Sequence, residues 1–183
     1  MAMLNWRPWA TDHEQLNRLH LLEKVPLFTG LSRRQLGKLL VKLFEKNYHP
    51  GETIFLEGEP AKALFIVLHG RVSILHAGKE GVEQVATLTP GAYFGELALI
   101  DDLPRSATAR ADEHSTLLIL YKSHFDELIE GHSTIAIRVM GNLLKALAGY
   151  VRAAHARRAG PPVTLADAPL PGDAIPTPTD RSR

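Results

Sequence analysis

Cysteine is absent from this chain of 183 residues. Its absence excludes disulfide bonds, thiolate metal sites, iron–sulfur clusters and a cysteine nucleophile. Long apolar runs are absent too, since none approaches the roughly 18 residues that a membrane-spanning helix needs. The opening residues, MAMLNWRPW, have no apolar stretch of the kind that a signal peptide contains. These absences lead us to expect a cytoplasmic protein without a membrane segment.

Excess charge of either sign is also lacking, because 21 lysines and arginines face 20 aspartates and glutamates, for a formal net charge of +1. Such a balance gives no overall attraction to nucleic acid or to an anionic membrane. The nine histidines are scattered without the spacing of metal ligands, and the Ser, His and Asp residues lack the sequence context of an activated nucleophile. We therefore expect no metal site and no catalytic residues, and hence no enzyme.

What the chain does contain changes along its length, and the changes divide it into three segments. Residues 1–24 predict an arm and a helix, because Thr11 and Glu14 have the spacing of a capping box ahead of leucines at helical intervals. Residues 25–158 are expected to form one domain. Residues 159–183 predict a disordered tail, because six of the chain's twelve prolines lie in the last 24 residues, without any aromatic side chain.

The central segment has the pattern of a mixed fold. Ser32 has the character of a helix N-cap ahead of regularly spaced leucines. From residue 43 to Tyr121, short β-branched and aromatic runs alternate with turn residues, which predicts seven or eight antiparallel strands. Helical spacing then returns. We therefore predict an α+β fold, namely an antiparallel β-roll or jelly-roll barrel of about eight strands with N-terminal helices, a short internal helix and a long C-terminal helix.

The long C-terminal helix, expected to reach about Arg158, carries two apolar stripes. One stripe has the alternating three- and four-residue spacing of a coiled-coil seam. We expect one stripe to pack on the chain's own domain and the seam to pair with a second copy in a homodimer, with packing on the domain alone as the alternative. The seam consists of Ile137, Met140, Leu144, Leu147, Val151 and Ala154, and the adjoining stripe consists of Leu143, Ala146 and Tyr150.

The stretch from residue 94 to residue 109, FGELALIDDLPRSATA, combines residue types that suit a ligand with a hydroxyl and a phosphate. Gly95 allows a close backbone approach because it has no Cβ, and Glu96 is an acceptor-only carboxylate suited to a hydroxyl pair. Leu97–Ile100 can form one helical turn with free N–H groups at its start. Arg105 offers a planar fork that matches phosphate oxygens. The alternative is a surface loop in which Glu96 and Arg105 pair with each other.

This ordered combination resembles the phosphate-binding cassette of the cyclic nucleotide-binding domain family. The family includes the effector domain of the bacterial catabolite activator protein, the regulatory subunits of protein kinase A and the C-terminal domains of cyclic nucleotide-gated channels. The resemblance covers roughly residues 25–158 and extends to the runs HPGETIFLEGEP and FIVLHGRVSIL, which are similar to the family's early barrel strands. It implies the β-roll fold and a cyclic nucleotide ligand.

The resemblance also implies a role for each position that matches the family's motif. Glu96 matches the glutamate that binds the ribose 2′-hydroxyl, and Arg105 matches the arginine that pairs with the cyclic phosphate. The backbone N–H groups near Leu97 and Ala98 would cradle the same phosphate. Ser106 stands where the activator protein has a serine, where many cAMP-selective domains have alanine and where cGMP-preferring domains often have threonine. We therefore expect cAMP as the first choice, with cGMP left open.

Base recognition is the less specific part of the resemblance. Val72, Ile74 and Val85 fall where the family lines the base and sugar with apolar groups, and each also suits an ordinary core. On the long helix, Tyr150 is expected either to stack on the base or to belong to the stripes described above. The alternative apolar lids are Leu143 and Leu147.

Two functions are compatible with these features. The first is a sensor module that binds a cyclic nucleotide and signals by moving its C-terminal helix against a protein partner or a second subunit. The second is the effector domain of a Crp/Fnr-like transcription regulator without its helix-turn-helix. DNA binding is not expected, because the Pro-rich residues 160–183 contain no capped, apolar-periodic pair of helices.

Overall fold

The computed structural model describes residues 12–78 and 81–159. The expected arm, the cap at Thr11 and the Pro-rich tail after residue 159 lie outside these residues. The α-helices described are α1 (Asp12–Lys24), α2 (Arg33–Leu40), α3 (Lys122–Gly131) and α4 (Ser133–Ala159), with short 3₁₀ helices at Pro26–Phe28 and Glu96–Leu99. The strands described are β1 (Phe44–Tyr48), β2 (Thr53–Phe55), β3 (Ala63–His69), β4 (Val72–Gly78), β5 (Gly81–Leu88), β6 (Tyr93–Phe94), β7 (Thr108–Ala111) and β8 (Ser115–Tyr121).

The strands form two four-stranded antiparallel sheets. One sheet has the order β1-β8-β3-β6 and the other has the order β2-β7-β4-β5. Apolar side chains from both sheets meet in one core, because alternate residues of each strand point to the same face. This core contains Tyr48, Ala63, Phe65, Val67, Val72, Phe94, Ala109, Ala111, Leu117 and Ile119. The predicted α+β fold with about eight antiparallel strands is confirmed, as a two-sheet roll rather than one closed barrel.

The pairing of β4 with β5 contains a β-bulge, and this bulge determines the direction of the Val85 side chain. Ile74 lies opposite Ala86, but Leu75 lies opposite Gln84, so Val85 is an extra residue on β5. A bulge of this kind bends the strand and re-aims the side chains on either side of it. The Val85 side chain is 58% exposed.

The helices around the roll are held by specific polar contacts. Ser32 caps α2 as expected, and its backbone N–H donates to Gln35 Oε1 at 2.9 Å to complete a capping box. On α4, the side-chain amide of Asn142 donates to the carbonyl oxygens of Leu27 at 3.0 Å and Thr29 at 2.9 Å. These bonds tie the first half of α4 to the short 3₁₀ helix before α2.

Contacts divide the chain into two compact units, and the division falls within α4 between Leu144 and Lys145. The first unit contains the roll, α1 to α3 and the start of α4, and the second contains the remainder of α4. The expected segment boundaries after residues 24 and 158 remain predictions. Among the helices described in 12–78 and 81–159, none is long and apolar enough to cross a bilayer.

Candidate ligand-binding site

The short strand β6 delivers the chain into a tight turn that opens the site. Gly95 follows β6 with a φ of +70°, in the left-handed region that side chains disfavour. Its carbonyl oxygen accepts the N–H of Ala98 at 3.2 Å, which starts the 3₁₀ helix Glu96–Leu99. A Cβ at Gly95 would lie 2.5 Å from Nη1 of Arg105. Glycine is therefore required here for two reasons, the backbone conformation and the space.

The backbone of Arg105 is held by the turn between β2 and β3. The Arg105 N–H donates to Glu59 O at 2.8 Å, and its carbonyl oxygen accepts the N–H of Gly58 at 2.9 Å. An antiparallel bridge between Pro60 and Pro104 adjoins these bonds. The position of the arginine thus depends on a turn more than forty residues earlier in the chain.

The Arg105 side chain is buried, with 8% of the residue exposed. Its Nη2 donates to Ala63 O at 2.9 Å and its Nη1 donates to Gly95 O at 3.3 Å. Its Nε is buried without a hydrogen-bond partner, although an unpaired buried donor is costly. Burial lowers the pKa of the guanidinium, whereas the nearby carboxylates of Glu59 and Glu96 raise it in part. The group is a buried cation with donor capacity left for an anion.

Glu96 lies at the start of the 3₁₀ helix with its carboxyl partly buried. Burial raises the pKa of this carboxyl, while the Glu96 backbone N–H and the charge of Arg105 lower it in part. In the described part of the chain no salt bridge joins Glu96 to Arg105. The alternative of a surface loop in which these two side chains pair is therefore wrong, because the arginine is buried and bonded to backbone oxygens instead.

Both groups open onto one cavity of about 200 Å³. Six of the residues predicted from the sequence line it, namely Gly95, Glu96, Leu97, Ala98, Arg105 and Ser106. Four further lining residues were not predicted as ligand contacts, namely Ala61, Asp101, Leu103 and Pro104. The structure therefore gathers the residues assigned to the sugar and phosphate around a single space.

The residues assigned to the base are not gathered there. Val72 is fully buried in the core between the sheets, and Ile74 packs against that core. Val85 points outward beside the bulge of β5, so none of these three side chains lines the cavity. Val72 and Ile74 therefore belong to the core and Val85 to the exposed surface, and a contact of these residues with the base or sugar remains a prediction.

The candidates on α4 fall in different places. Leu143 is fully buried within the first unit. Leu147 and Tyr150 belong to the second unit. Their contact with a base therefore remains a prediction.

Two aromatic residues that the sequence did not indicate also shape the site. The Arg105 Cζ lies 4.1 Å from the centroid of the Phe55 ring and 5.4 Å from that of Phe65. Phe55 reaches this place because β2 pairs with β7, where it lies opposite Ala109. No local pattern could have revealed this contact, since about fifty residues separate the two strands.

The acidic spacer of the cassette faces neighbouring groups rather than the arginine. The carboxylate of Asp101 accepts the N–H of Leu103 at 3.4 Å, and Asp102 accepts from Lys122 Nζ at 2.6 Å. Lys122 is the first residue of α3, so this ion pair joins the cassette to that helix. Within residues 12–78 and 81–159, no three His, Asp or Glu side chains come together as a metal site would require.

A two-sheet roll that brings a buried arginine and a glutamate to one cavity has the architecture of a domain with a phosphate-binding cassette. Residues 45–132 match the family model described as the cyclic nucleotide-binding domain, and this part of the chain belongs to that family.

Known proteins of several kinds are similar to the chain. The potassium channel SKOR of Arabidopsis thaliana is 33% identical over 135 residues, which are 73% of this chain and 16% of the channel. A cAMP-dependent protein kinase regulatory subunit of Yarrowia lipolytica is 37% identical over 108 residues, or 59% of this chain and 28% of the subunit. The crystal structure of the Thermus thermophilus catabolite activator protein superposes with a TM-score of 0.67 and 33% identity, covering 73% of this chain and 61% of that one. The chain thus spans less than two thirds of each.

Proposed function

We propose that this chain is a sensor module that binds cAMP, with cGMP as the competing ligand, and passes the signal to a protein partner or a second copy. The observation that carries the proposal is the buried Arg105 guanidinium, whose Nε has no partner and whose cavity also holds Glu96. A cyclic phosphate supplies the acceptor oxygens that this donor lacks, and a ribose supplies the hydroxyl for the carboxylate.

The size of the cavity supports a division of the ligand between two regions. Pockets for small molecules usually measure about 300–1,000 Å³, so a cavity of about 200 Å³ suits the ribose and cyclic phosphate rather than the whole nucleotide. The base then lies beyond the cavity near Ser106, which is exposed. We propose that Tyr150, or Leu143 and Leu147, contact the base when the ligand is bound.

The route from the cassette to α4 follows contacts within the first unit. The 3₁₀ helix Glu96–Leu99 contacts α3, and the Asp102–Lys122 ion pair joins the loop after that 3₁₀ helix to α3. Helix α3 ends at Gly131, and α4 begins two residues later. A ligand that binds one arrangement of these helices more tightly shifts the population toward it. The direct test of the ligand is calorimetric titration of cAMP, cGMP and a cyclic dinucleotide into the purified protein, and absence of binding by both cAMP and cGMP contradicts the proposal.

The role of Glu96 can be isolated with a modified ligand. We expect Glu96→Ala to weaken cAMP binding by about 1.5–3 kcal/mol, which is the usual contribution of a hydrogen bond to a charged group. With 2′-deoxy-cAMP, which lacks the hydroxyl, wild type and variant should bind alike. Calorimetry with both ligands measures the difference. A loss of equal size for the two ligands would place Glu96 in a role other than ribose recognition.

Helix α4 supports the proposal of a homodimer. Ile137 and Leu144, which belong to the predicted seam, are 70% and 63% exposed, whereas Leu143 on the adjoining stripe is buried. Contiguous exposed apolar side chains often mark interfaces. We expect Leu144→Glu to weaken self-association at least tenfold in light scattering, because pairing would bury the new charge. Lys145→Glu, a charge change at the next residue off the seam, should leave it nearly unchanged. A wild-type monomer at high concentration, with and without cAMP, would refute the dimer.

The second candidate function is the effector domain of a Crp/Fnr-like regulator. The similarity to the Thermus thermophilus catabolite activator protein favours it, since the match covers 73% of this chain. This function shares the proposed ligand and differs in its output. Binding of the full-length natural protein to DNA in the presence of cAMP, measured as DNA retained by the protein, would favour this function over the sensor module.

A further inference from the structure

Three phenylalanine rings form a cluster at the part of the core that lies next to Arg105. Phe65 and Phe94 face each other across β3 and β6, stacked at 5.2 Å with an angle of 14° between their planes. The Phe55 ring lies 5.5 Å from Phe65 and 5.8 Å from Phe94. Phe65 and Phe94 are buried core residues, whereas Phe55 is only partly buried. Phe55 therefore lies between the core and the site.

The guanidinium of Arg105 lies over Phe55 more closely than over the rest of the cluster. The distance from Cζ to the ring centroid is 4.1 Å for Phe55 and 5.4 Å for Phe65. A planar guanidinium is suited to an aromatic face, and the attraction is strongest where water is excluded. Since Arg105 is buried, its cation–π contact with Phe55 is of the stronger, desolvated kind.

The contacts of Arg105 together determine the plane of its guanidinium. Nη1 and Nη2 donate to the backbone oxygens of Gly95 and Ala63, while Cζ lies over the Phe55 ring, 4.1 Å from its centroid. The edge that carries Nε is the part left without a protein partner. Two backbone acceptors and one ring thus leave the arginine a single orientation toward a ligand.

The local structure of β2 directs the Phe55 ring to this place. Thr53 lies opposite Arg110 on β7, but Phe55 lies opposite Ala109, so the register shifts between these two positions. An extra residue in a strand re-aims the side chains that follow it, and such bulges are frequent beside binding sites. The placement of the Phe55 ring thus follows from this irregularity in the backbone of β2.

We propose that Phe55 is a positioning residue for Arg105, which holds the guanidinium in the orientation that meets the phosphate. The expected effect of Phe55 on cAMP affinity rests on the proposed function. The expected effect of Phe55 on the orientation of the Arg105 guanidinium rests on the structure alone. The positioning role predicts that loss of the ring lowers affinity through the arginine and by no other route.

The binding test is a double-mutant cycle on cAMP affinity. We expect Phe55→Leu to weaken binding about tenfold when residue 105 is arginine, which corresponds to about 1.4 kcal/mol. In the Arg105→Lys background, which keeps the charge but has no plane to stack, the same substitution should cost less than about threefold, because coupled residues are not additive. Phe55→Tyr, which keeps the ring, should bind like the wild type.

Phe94→Leu is the matched control, because it removes a ring from the same cluster and is not among the rings recorded over the guanidinium. It should leave cAMP affinity within about threefold of the wild type, because Phe94 is a core residue that is not among the residues lining the cavity. Equal losses for Phe55→Leu and Phe94→Leu, or an undiminished loss in the Arg105→Lys background, would overturn the inference.

A second measurement needs no ligand and separates this inference from the proposed function. The Nε–H signal of Arg105, assigned in a ¹H–¹⁵N spectrum by its loss in Arg105→Lys, should carry the ring-current shift of a group over an aromatic face. Phe55→Leu should remove that shift and Phe94→Leu should retain most of it. A signal unmoved by Phe55→Leu refutes the positioning role even where cAMP binds, and a moved signal supports it even where cAMP does not.

Discussion

Replacing Arg105 with alanine is expected to weaken cAMP binding by about 2–5 kcal/mol, the range found when one partner of a buried charged pair is removed. The guanidinium is buried, and its Nε has no protein partner. Without it, the phosphate would lose water on entering the cavity and gain no cation in return. At about 1.4 kcal/mol per tenfold change, the dissociation constant should rise by a factor of about thirty to several thousand.

The control for this substitution is Arg110→Ala. Arg110 is an exposed arginine on β7, five residues further along the chain, so its loss changes the net charge equally. We expect it to leave affinity nearly unchanged, because exposed charges separated by water are largely screened. Calorimetry on wild type and both variants decides the matter. Equal affinities for wild type and Arg105→Ala would remove the phosphate assignment and with it the proposed function.

Replacing Gly95 with alanine is expected to impair binding to a similar degree, although it removes no charged group from the protein. The new Cβ would lie 2.5 Å from Nη1 of Arg105 and 3.2 Å from the carbonyl oxygen of Ala63. The guanidinium must therefore leave the place where its Nη atoms meet backbone oxygens. We expect at least a hundredfold loss of cAMP affinity, which is about 2.7 kcal/mol, together with a lower free energy of unfolding.

The control for the backbone strain is Gly51→Ala. Gly51 also has a left-handed conformation, with a φ of +79°, but a Cβ there would meet nothing within 4 Å. Both substitutions should cost about 1–2 kcal/mol of stability, which is the penalty of a side chain in that region. Only Gly95→Ala should lose affinity. Urea unfolding and calorimetry on the two variants separate the effects, and wild-type affinity in Gly95→Ala would contradict the crowding argument.

The two predictions rest on the same geometry but fail independently. Arg105→Ala asks whether the cation binds the ligand, whereas Gly95→Ala asks whether the cation must stay where the structure has it. A large loss in the first with none in the second would mean that the arginine moves when the ligand binds. The contact with Phe55 would then describe only the ligand-free site.

The sequence by itself determined the features that depend on neighbouring residues. The alternation of apolar runs and turn residues from residue 43 to Tyr121 predicted the strands, and Ser32 predicted a helix start that the structure confirms. The turn after Gly95 and a long helix to about Arg158 were also predicted, and the structure has that helix ending at Ala159. Local spacing suffices for these features, because strand and helix periods and caps are properties of a few consecutive residues.

Only the tertiary structure decided which residues meet across the sheets. Phe55 reaches Arg105 through the β2–β7 pairing, and the bulge opposite Ile74 and Leu75 directs Val85 away from the cavity. On α4 the sequence predicted two apolar stripes, and the structure shows that Leu143 of one stripe is buried whereas Leu144 of the other is exposed. Strand register and bulges depend on pairing between segments that lie far apart in the chain, and a shift by one residue moves a side chain to the opposite face. The residues of the cassette could therefore be predicted from the sequence, whereas the orientation of Arg105 could be determined only from the tertiary structure.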